Sequence, residues 1–364
     1  MSEPVFSLRS IKTKADKSPA GYVLDSEHNE GLATAIQMAI WLGKPLLLTG
    51  APGTGKTQLA FKVADMLAKT DHADTCAPFL PTPFIFNTKT TSTSTDLFYF
   101  YDAVRHFQKK YVHENDGQAK TDVADAHPFI KLHALGSAIL QAYGSQAIAD
   151  DPNLGDLQKL AGFDELKQQP YSSVVLIDEI DKAPRDFPND LLNEIENMEF
   201  SIAELMNKKI AKPAASKAQV VVFMTSNFEK NLPDAFLRRC LFYHIPNPGA
   251  IELTNIVNAR IKPYIQEMYG TKDTARLNTI SDNLGDNLAA CVTEFINIKT
   301  VINEKQPATA ELLDWVKALE QKDFFTGKID FTKTDDQQKK ILREVASTLA
   351  KTKNDLAAVI KKYS

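Results

Sequence analysis

The stretch KPLLLTGAPGTGKTQLAFKVADML, residues 44–67, constrains this chain more than any other. The apolar run Leu46–Leu48 leads into Gly50-Ala51-Pro52-Gly53-Thr54-Gly55-Lys56-Thr57, which fits G-x-x-x-x-G-K-[ST] in full. Leu59, Val63 and Leu67 then recur at four-residue steps, so a buried strand precedes the loop and an amphipathic helix follows it. Glycines let backbone N–H groups converge on phosphate oxygens in conformations that a β-carbon forbids. The lysine reaches the β- and γ-phosphates, and the following threonine hydroxyl is offered to Mg2+. The helix N-terminus adds partial positive charge. Gly50 through Gln58 are therefore the expected cofactor-binding run, with Thr57 as a metal ligand.

Four more short apolar runs have the look of buried parallel strands: PFIFNT (83–88), SSVVLIDE (172–179), QVVVFMTSN (219–227) and LFYHIP (241–246). Helical spacing separates them, as at Leu191, Leu192, Ile195 and Met198. Strands alternating with helices imply an α/β fold with a parallel sheet flanked by helices. Beyond Pro248 the strand-like runs stop, and AIELTNIVNARIKPYIQEMY and TAELLDWVKALE read as amphipathic helices. The expected organisation is an N-terminal segment (1–21), an α/β nucleotide-binding core (22–248), an all-α lid (249–320), and a connector with one last helix (321–364). Ile341, Val345, Leu349, Leu356 and Ile360 mark that helix, which is expected to pack on the lid.

SSVVLIDE supplies four apolar residues and then Asp178-Glu179. At the end of a neighbouring strand, Asp178 is placed to share Mg2+ with Thr57. Glu179, turned aside by strand alternation, is free to activate water as general base. Asp181 and Lys182 read as surface or turn residues. MTSN ends the third run, and Asn227 is the candidate for orienting the water, with a strand-end cap as the competing reading. The guanine motif [NT]-K-x-D occurs at Thr13–Asp16, Thr332–Asp335 and Thr352–Asp355, but never after an apolar strand, so ATP is the expected nucleotide.

These residues resemble the AAA+ ATPases, and within them the MoxR-like group. The resemblance runs from Tyr22 to about Leu319 through NTKTTSTSTDLFYFYDAVRHF, SSVVLIDEIDKAPRDFPNDLLNEIENMEFSIAEL, VVVFMTSNFEKNLPDAFLRRCLFYHI and QPATAELLDWVKALE. It implies a homo-oligomeric ring, usually a hexamer, with ATP between subunits. It implies further that an arginine in FLRRC, Arg239 first and Arg238 next, completes the neighbour's site. It places Tyr22 and Val23 near the adenine, makes Asn227 the sensor, and puts an extra element within about 97–140. Many AAA+ lids open a late helix with an arginine; PATAELLDW has none, and Lys305 and Arg260 are the nearby cations in sequence.

Other segments carry weaker expectations. FYFY (98–101) invites an aromatic paddle, but Leu97, Tyr101, Val104 and Gln108 trace a helical stripe, so core packing in a helix is expected. TKTTSTSTD reads as a loop with an N-cap at Thr95 or Asp96. Lys208, Lys209, Lys212 and Lys217 read as solvated loop lysines rather than a pore lining. The net charge of −4 gives no general attraction to nucleic acid or anionic membrane. Cys76, Cys240 and Cys291 are widely spaced, MSEPVFSLRSIKTKADK lacks an apolar signal core, and the run at Ile40–Leu48 is broken too early to span a bilayer. Free thiols and a cytoplasmic location are expected. The resemblance suggests chaperone-like work on a protein client, often one with a von Willebrand A domain. The rivals are a nucleic-acid motor or loader and an ATP-binding scaffold with little turnover.

Overall fold

The computed structural model describes residues 22, 24, 30–72, 75–115, 125–227, 230–269 and 274–364; the expected N-terminal segment 1–21, and Val23, lie outside them. In chain order the first elements are α1 (Leu32–Leu42), β1 (Leu46–Thr49), α2 (Lys56–Lys69), β2 (Phe84–Asn87), β3 (Tyr99–Tyr101), α3 (Ala103–Asn115), β4 (Ile130–Leu132), α4 (Ala134–Gln141) and α5 (Ser145–Asp150). There follow β5 (Ser173–Asp178), α6 (Phe187–Asn197), β6 (Glu199–Ile202), β7 (Lys208–Ala211), β8 (Val220–Ser226), α7 (Asp234–Leu237) and β9 (Leu241–His244). The chain ends in α8 (Ala250–Tyr269), α9 (Thr274–Ser281), α10 (Leu284–Lys299), α11 (Thr309–Gln321), α12 (Asp336–Glu344) and α13 (Lys353–Lys362).

The five expected strands form one parallel sheet in the order β2-β5-β8-β1-β9. The pleat explains why their sequences show no polar alternation. Leu47, Val175, Ile177, Val222 and Met224 join one buried cluster with α4 and α6, while Leu46, Leu48, Val174, Leu176, Val221 and Phe223 join another with α1 and α2. Both faces are covered along the inner strands, so the middle positions of β1, β5 and β8 are apolar. The register aligns Thr49 with Ser226 and Asn87 with Asp178, which brings the carboxyl ends of four strands to one edge.

Three local expectations are corrected. The FYFY segment is no helix: Tyr99–Tyr101 is a strand, paired antiparallel with Ile130–Leu132. Phe98 and Tyr99 are buried there, while Phe100 is half exposed. The hydroxyl-rich loop caps a short 3-10 turn (Ser94–Leu97) from Thr93, with Asp96 accepting the Thr93 N–H at 2.8 Å; the cap is Thr93, ahead of the expected Thr95 or Asp96. Lys208 and Lys209 lie on β7, hairpinned with β6 through the left-handed pair Met206 and Asn207. Lys208 is bound to Asp156, and Lys209 meets Glu199 at 2.9 Å.

The helical region has a core of its own. Leu253, Val257, Ile261 and Ile265 form the inner stripe of α8 and pack with Phe295, Trp315 and Leu319. Phe324 and Phe325, in the expected connector, are fully buried in this same core, as are Leu342, Val345, Leu349 and Val359 from the C-terminal region. The single last helix is corrected to two. Asp335 caps α12 by accepting the Gln338 N–H at 2.7 Å, and Thr352 caps α13 by accepting the Asp355 N–H at 3.2 Å. Each cap restarts the helical ladder, so one continuous helix is excluded. Among the described residues no helix is long and apolar enough to cross a membrane.

Candidate functional site

The glycine loop leaves β1 at Gly50, whose φ of 148° and tight seat admit no side chain: a β-carbon there would lie 2.6 Å from the Ile245 carbonyl oxygen. Ala51 and Pro52 make the outer turn, and the Ala51 carbonyl accepts from the Thr54 N–H at 3.3 Å and hydroxyl at 2.9 Å. Gly55, at φ 85°, closes the loop and starts α2; a β-carbon there would meet the Tyr22 ring at 2.9 Å. Tyr22 thus lies over the loop, and burial together with the nearby Tyr243 pushes its phenol up. Val23 is outside the described residues.

Lys56 is buried and turns back into the loop, donating to the carbonyls of Gly50 at 2.8 Å and Ala51 at 3.0 Å. Burial pulls its pKa below the ordinary lysine value, while Asp178, Asp181 and Glu179 push the other way. Three carboxylates around one desolvated cation form a charged site that a polyphosphate and its counter-ion can enter. The Thr57 hydroxyl donates to both Asp178 oxygens, at 3.2 and 3.1 Å. A hydroxyl from the first turn of α2 and a carboxylate from the end of β5 are hard oxygen donors, the kind Mg2+ takes alongside phosphate oxygens. No group of three or more His, Cys, Asp or Glu is arranged as a metal cage among the described residues. The residues present therefore fit a nucleoside triphosphate with a divalent cation.

Glu179 is placed by backbone geometry, not by pleat alternation as expected. β5 ends at Asp178, and Glu179 takes the left-handed region at φ 58°. Its N–H donates to Thr225 Oγ1 at 2.8 Å, and that hydroxyl donates to Asp178 Oδ1 at 2.5 Å. The Glu179 carboxylate accepts from Asn227 Nδ2 at 3.3 Å and from Lys182 Nζ at 2.5 Å. Asp181 is also corrected: it is only 2% exposed and accepts the Asn227 N–H at 3.1 Å. Lys182 and Asp181 thus belong to the site, although the sequence reads as a surface turn. No spacing rule signals Asp181, because its partner Asn227 lies just past β8, more than forty residues on.

Arg238 and Arg239 follow α7 and stand apart from this cluster. Arg239 Nε pairs with Glu196 at 3.1 Å, and its Nη1 donates to the Ala235 carbonyl at 3.3 Å. Leu241 donates to the Pro45 carbonyl, so Arg239 lies near the amino end of β1 while the glycine loop leaves the carboxyl end. A strand of four residues separates the two edges by about 13 Å. The lid meets the loop at two points: Arg260 Nη2 donates to Gln58 Oε1 at 3.2 Å, and a β-carbon on Gly53 would lie 3.0 Å from Ala308 Cβ. Of the two nearby cations, Arg260 therefore reaches the first turn of α2, whereas Lys305 is exposed.

A glycine loop, a buried lysine and a hydroxyl–carboxylate pair on one edge of a parallel sheet, with a helical lid beyond, define a P-loop nucleotide-binding protein. The chain belongs to the AAA domain family (Cdc48 subfamily), whose model matches residues 44–267, more than half of its length. Nucleotide binding with a divalent metal and assembly into rings are typical of that family. Among curated proteins nothing matches. Among solved structures, domain III of the Thermotoga maritima replication initiation protein DnaA aligns over 91% of this chain and 98% of its own, at 13% identity and a TM-score of 0.35.

Proposed function

We propose that this chain is a Mg2+-dependent, ATP-hydrolysing AAA+ ring of the MoxR type that remodels or matures a protein partner. One observation carries the hydrolytic reading: Asn227 and Glu179 meet at 3.3 Å beside the Thr57–Asp178 pair, so a base and a metal-binding pair share one sheet edge. Gly50 through Gln58 with Tyr22 hold the nucleotide, and Lys56 gives up its loop carbonyls for the β- and γ-phosphates. Thr57 and Asp178 hold Mg2+, which offsets charge on the phosphates. Glu179 takes the proton of the attacking water, and Asn227 fixes both the carboxylate and the water.

Arg239, with Arg238 beside it, serves a neighbouring copy, since it stands on the sheet edge opposite its own loop. In that arrangement it neutralises charge on the γ-phosphoryl being transferred. A ring, hexameric by resemblance, follows from a site completed by two copies. The lid touches the loop through Gln58 and Gly53, so a change there swings the helical region against the sheet. The client is a protein, in the first instance one carrying a von Willebrand A domain, and the setting is cytoplasmic.

The test is turnover of wild type against Glu179→Gln with Mg2+-ATP. Loss of a general base lowers the rate about 10^2- to 10^4-fold while ATP still binds, and the arrested form retains its client in a pull-down. Full turnover in Glu179→Gln refutes the assignment of the base, and negligible turnover in both favours a scaffold.

A further inference from the structure

Asp355 carries more hydrogen bonds than its place in the sequence requires. It is the third residue of α13, whose N-cap is Thr352. An acid at that position commonly reaches back to its own N-cap N–H. Here it reaches outward: Oδ1 accepts from the Asn303 N–H at 2.9 Å and the Glu304 N–H at 3.1 Å, and Oδ2 accepts from the Lys305 N–H at 2.9 Å. Asn354 beside it donates to Glu304 Oε1 at 2.5 Å. The side chain is 2% exposed, so these three amides have replaced its water. Burial pushes the carboxyl up, but the amides and Thr352 outweigh it and hold the group below its ordinary value.

The gripped segment is the lever that carries α11. Only Gln306 and Pro307 separate Lys305 from Ala308, the N-cap of α11. Pro307 is buried and has a fixed φ, and Gln306 Nε2 donates to the Lys299 carbonyl at 3.0 Å. The linkage is therefore short and stiff. At its far end, a β-carbon on Gly53 would lie 3.6 Å from Thr309 N and 3.7 Å from Ala310 N, so the first turn of α11 rests on the glycine loop.

We infer that Asp355 is a positioning residue for the nucleotide site: through segment 303–305 it sets where the start of α11 meets Gly53, and thereby couples α13 to nucleotide binding. The inference rests on the proposed nucleotide site. It assigns the last helix a part in nucleotide response, beyond its packing on the lid. By reciprocity, nucleotide on the loop must tighten the grip at 303–305 as much as the grip favours nucleotide.

Two measurements on the full chain decide it. Calorimetric titration with Mg2+-ATP compares wild type, Asp355→Asn and the control Asp330→Asn, whose parent aspartate caps only its own exposed turn at Thr332. Coupling of ordinary size raises the ATP Kd of Asp355→Asn about 5- to 20-fold and leaves Asp330→Asn unchanged. Amide exchange of the wild type, with and without ATP, reads the reverse direction and needs no variant to fold: slower exchange at Asn303, Glu304 and Lys305 on adding ATP is expected. Asp355→Asn that melts earlier but binds ATP as wild type does overturns the inference and leaves a structural role. Unchanged exchange at 303–305 in ATP-bound wild type overturns it too. Wild type that binds no ATP overturns the nucleotide site itself, and the coupling with it.

Discussion

Thr225→Val is the substitution through which the structure can be tested most sharply. Thr225 is fully buried on β8, and its hydroxyl is used twice: it donates to Asp178 Oδ1 at 2.5 Å and accepts the Glu179 N–H at 2.8 Å. Valine keeps the volume and removes both bonds. The bond to a carboxylate is worth about 1.5–3 kcal/mol, and an amide left buried without an acceptor costs about 1–3 kcal/mol. The added methyl returns about 1 kcal/mol. The net loss is about 1.5–5 kcal/mol of stability. Activity suffers separately, because the Thr225 hydroxyl helps hold Glu179 at φ 58°, a conformation that costs about 1–2 kcal/mol in a non-glycine residue. Released from it, Glu179 moves away from Asn227, and turnover falls about 10-fold or more. Urea unfolding followed by circular dichroism, together with steady-state ATPase assays, reads both effects. Thr225→Ser keeps the hydroxyl and should cost about 1 kcal/mol with nearly full turnover. If Thr225→Val stays within about 0.5 kcal/mol of wild type, or hydrolyses ATP as fast, the placement of Glu179 by this hydroxyl is wrong.

Two further outcomes follow from the geometry. Arg239→Ala and Glu179→Gln should each be inactive alone, yet an equal mixture should regain part of the wild-type rate, since some mixed interfaces carry both intact residues; an inactive mixture that still forms rings argues that Arg239 does not act across subunits. Asp156 meets Lys208 and His127, and although burial pushes its carboxyl up, these partners hold it below the usual range. Its folded pKa is depressed, so its contribution is complete above the unfolded value of about 3.9 and fades as pH falls through the folded one. Asp156→Asn should therefore lower the melting temperature at pH 7 and matter less near pH 3, by no more than about 1 kcal/mol for so exposed a carboxylate; an equal deficit at both pH values contradicts the ion pairing.

Much of the core was legible because its signals are local. The inner strands β1, β5 and β8 are covered parallel strands, so their apolar runs betray them without any partner in view. The FYFY segment failed for the opposite reason. Over so few residues a helical stripe and a strand are indistinguishable, and pairing with Ile130–Leu132, across the whole of α3, decides for the strand. Lys208 and Lys209 read as loop because edge hairpins need no apolar run; their partners, Asp156 and Glu199, are set by tertiary packing.

Taken alone, the sequence determined that this chain has a strand, a phosphate loop and a helix at residues 44–67, and an acidic pair at Asp178-Glu179. Backbone conformation in the loop follows from Gly50, Gly53 and Gly55, all at positive φ, and the matched family model agrees over residues 44–267. Tertiary structure decided what those groups touch. Parallel register brings Thr225 to Asp178, a left-handed Glu179 meets Asn227 and Lys182, and Asp355 reaches back some fifty residues to hold the start of the lid's contact with Gly53. Such contacts depend on which chain segments lie side by side, and only burial of both sheet faces and of the helical core fixes that.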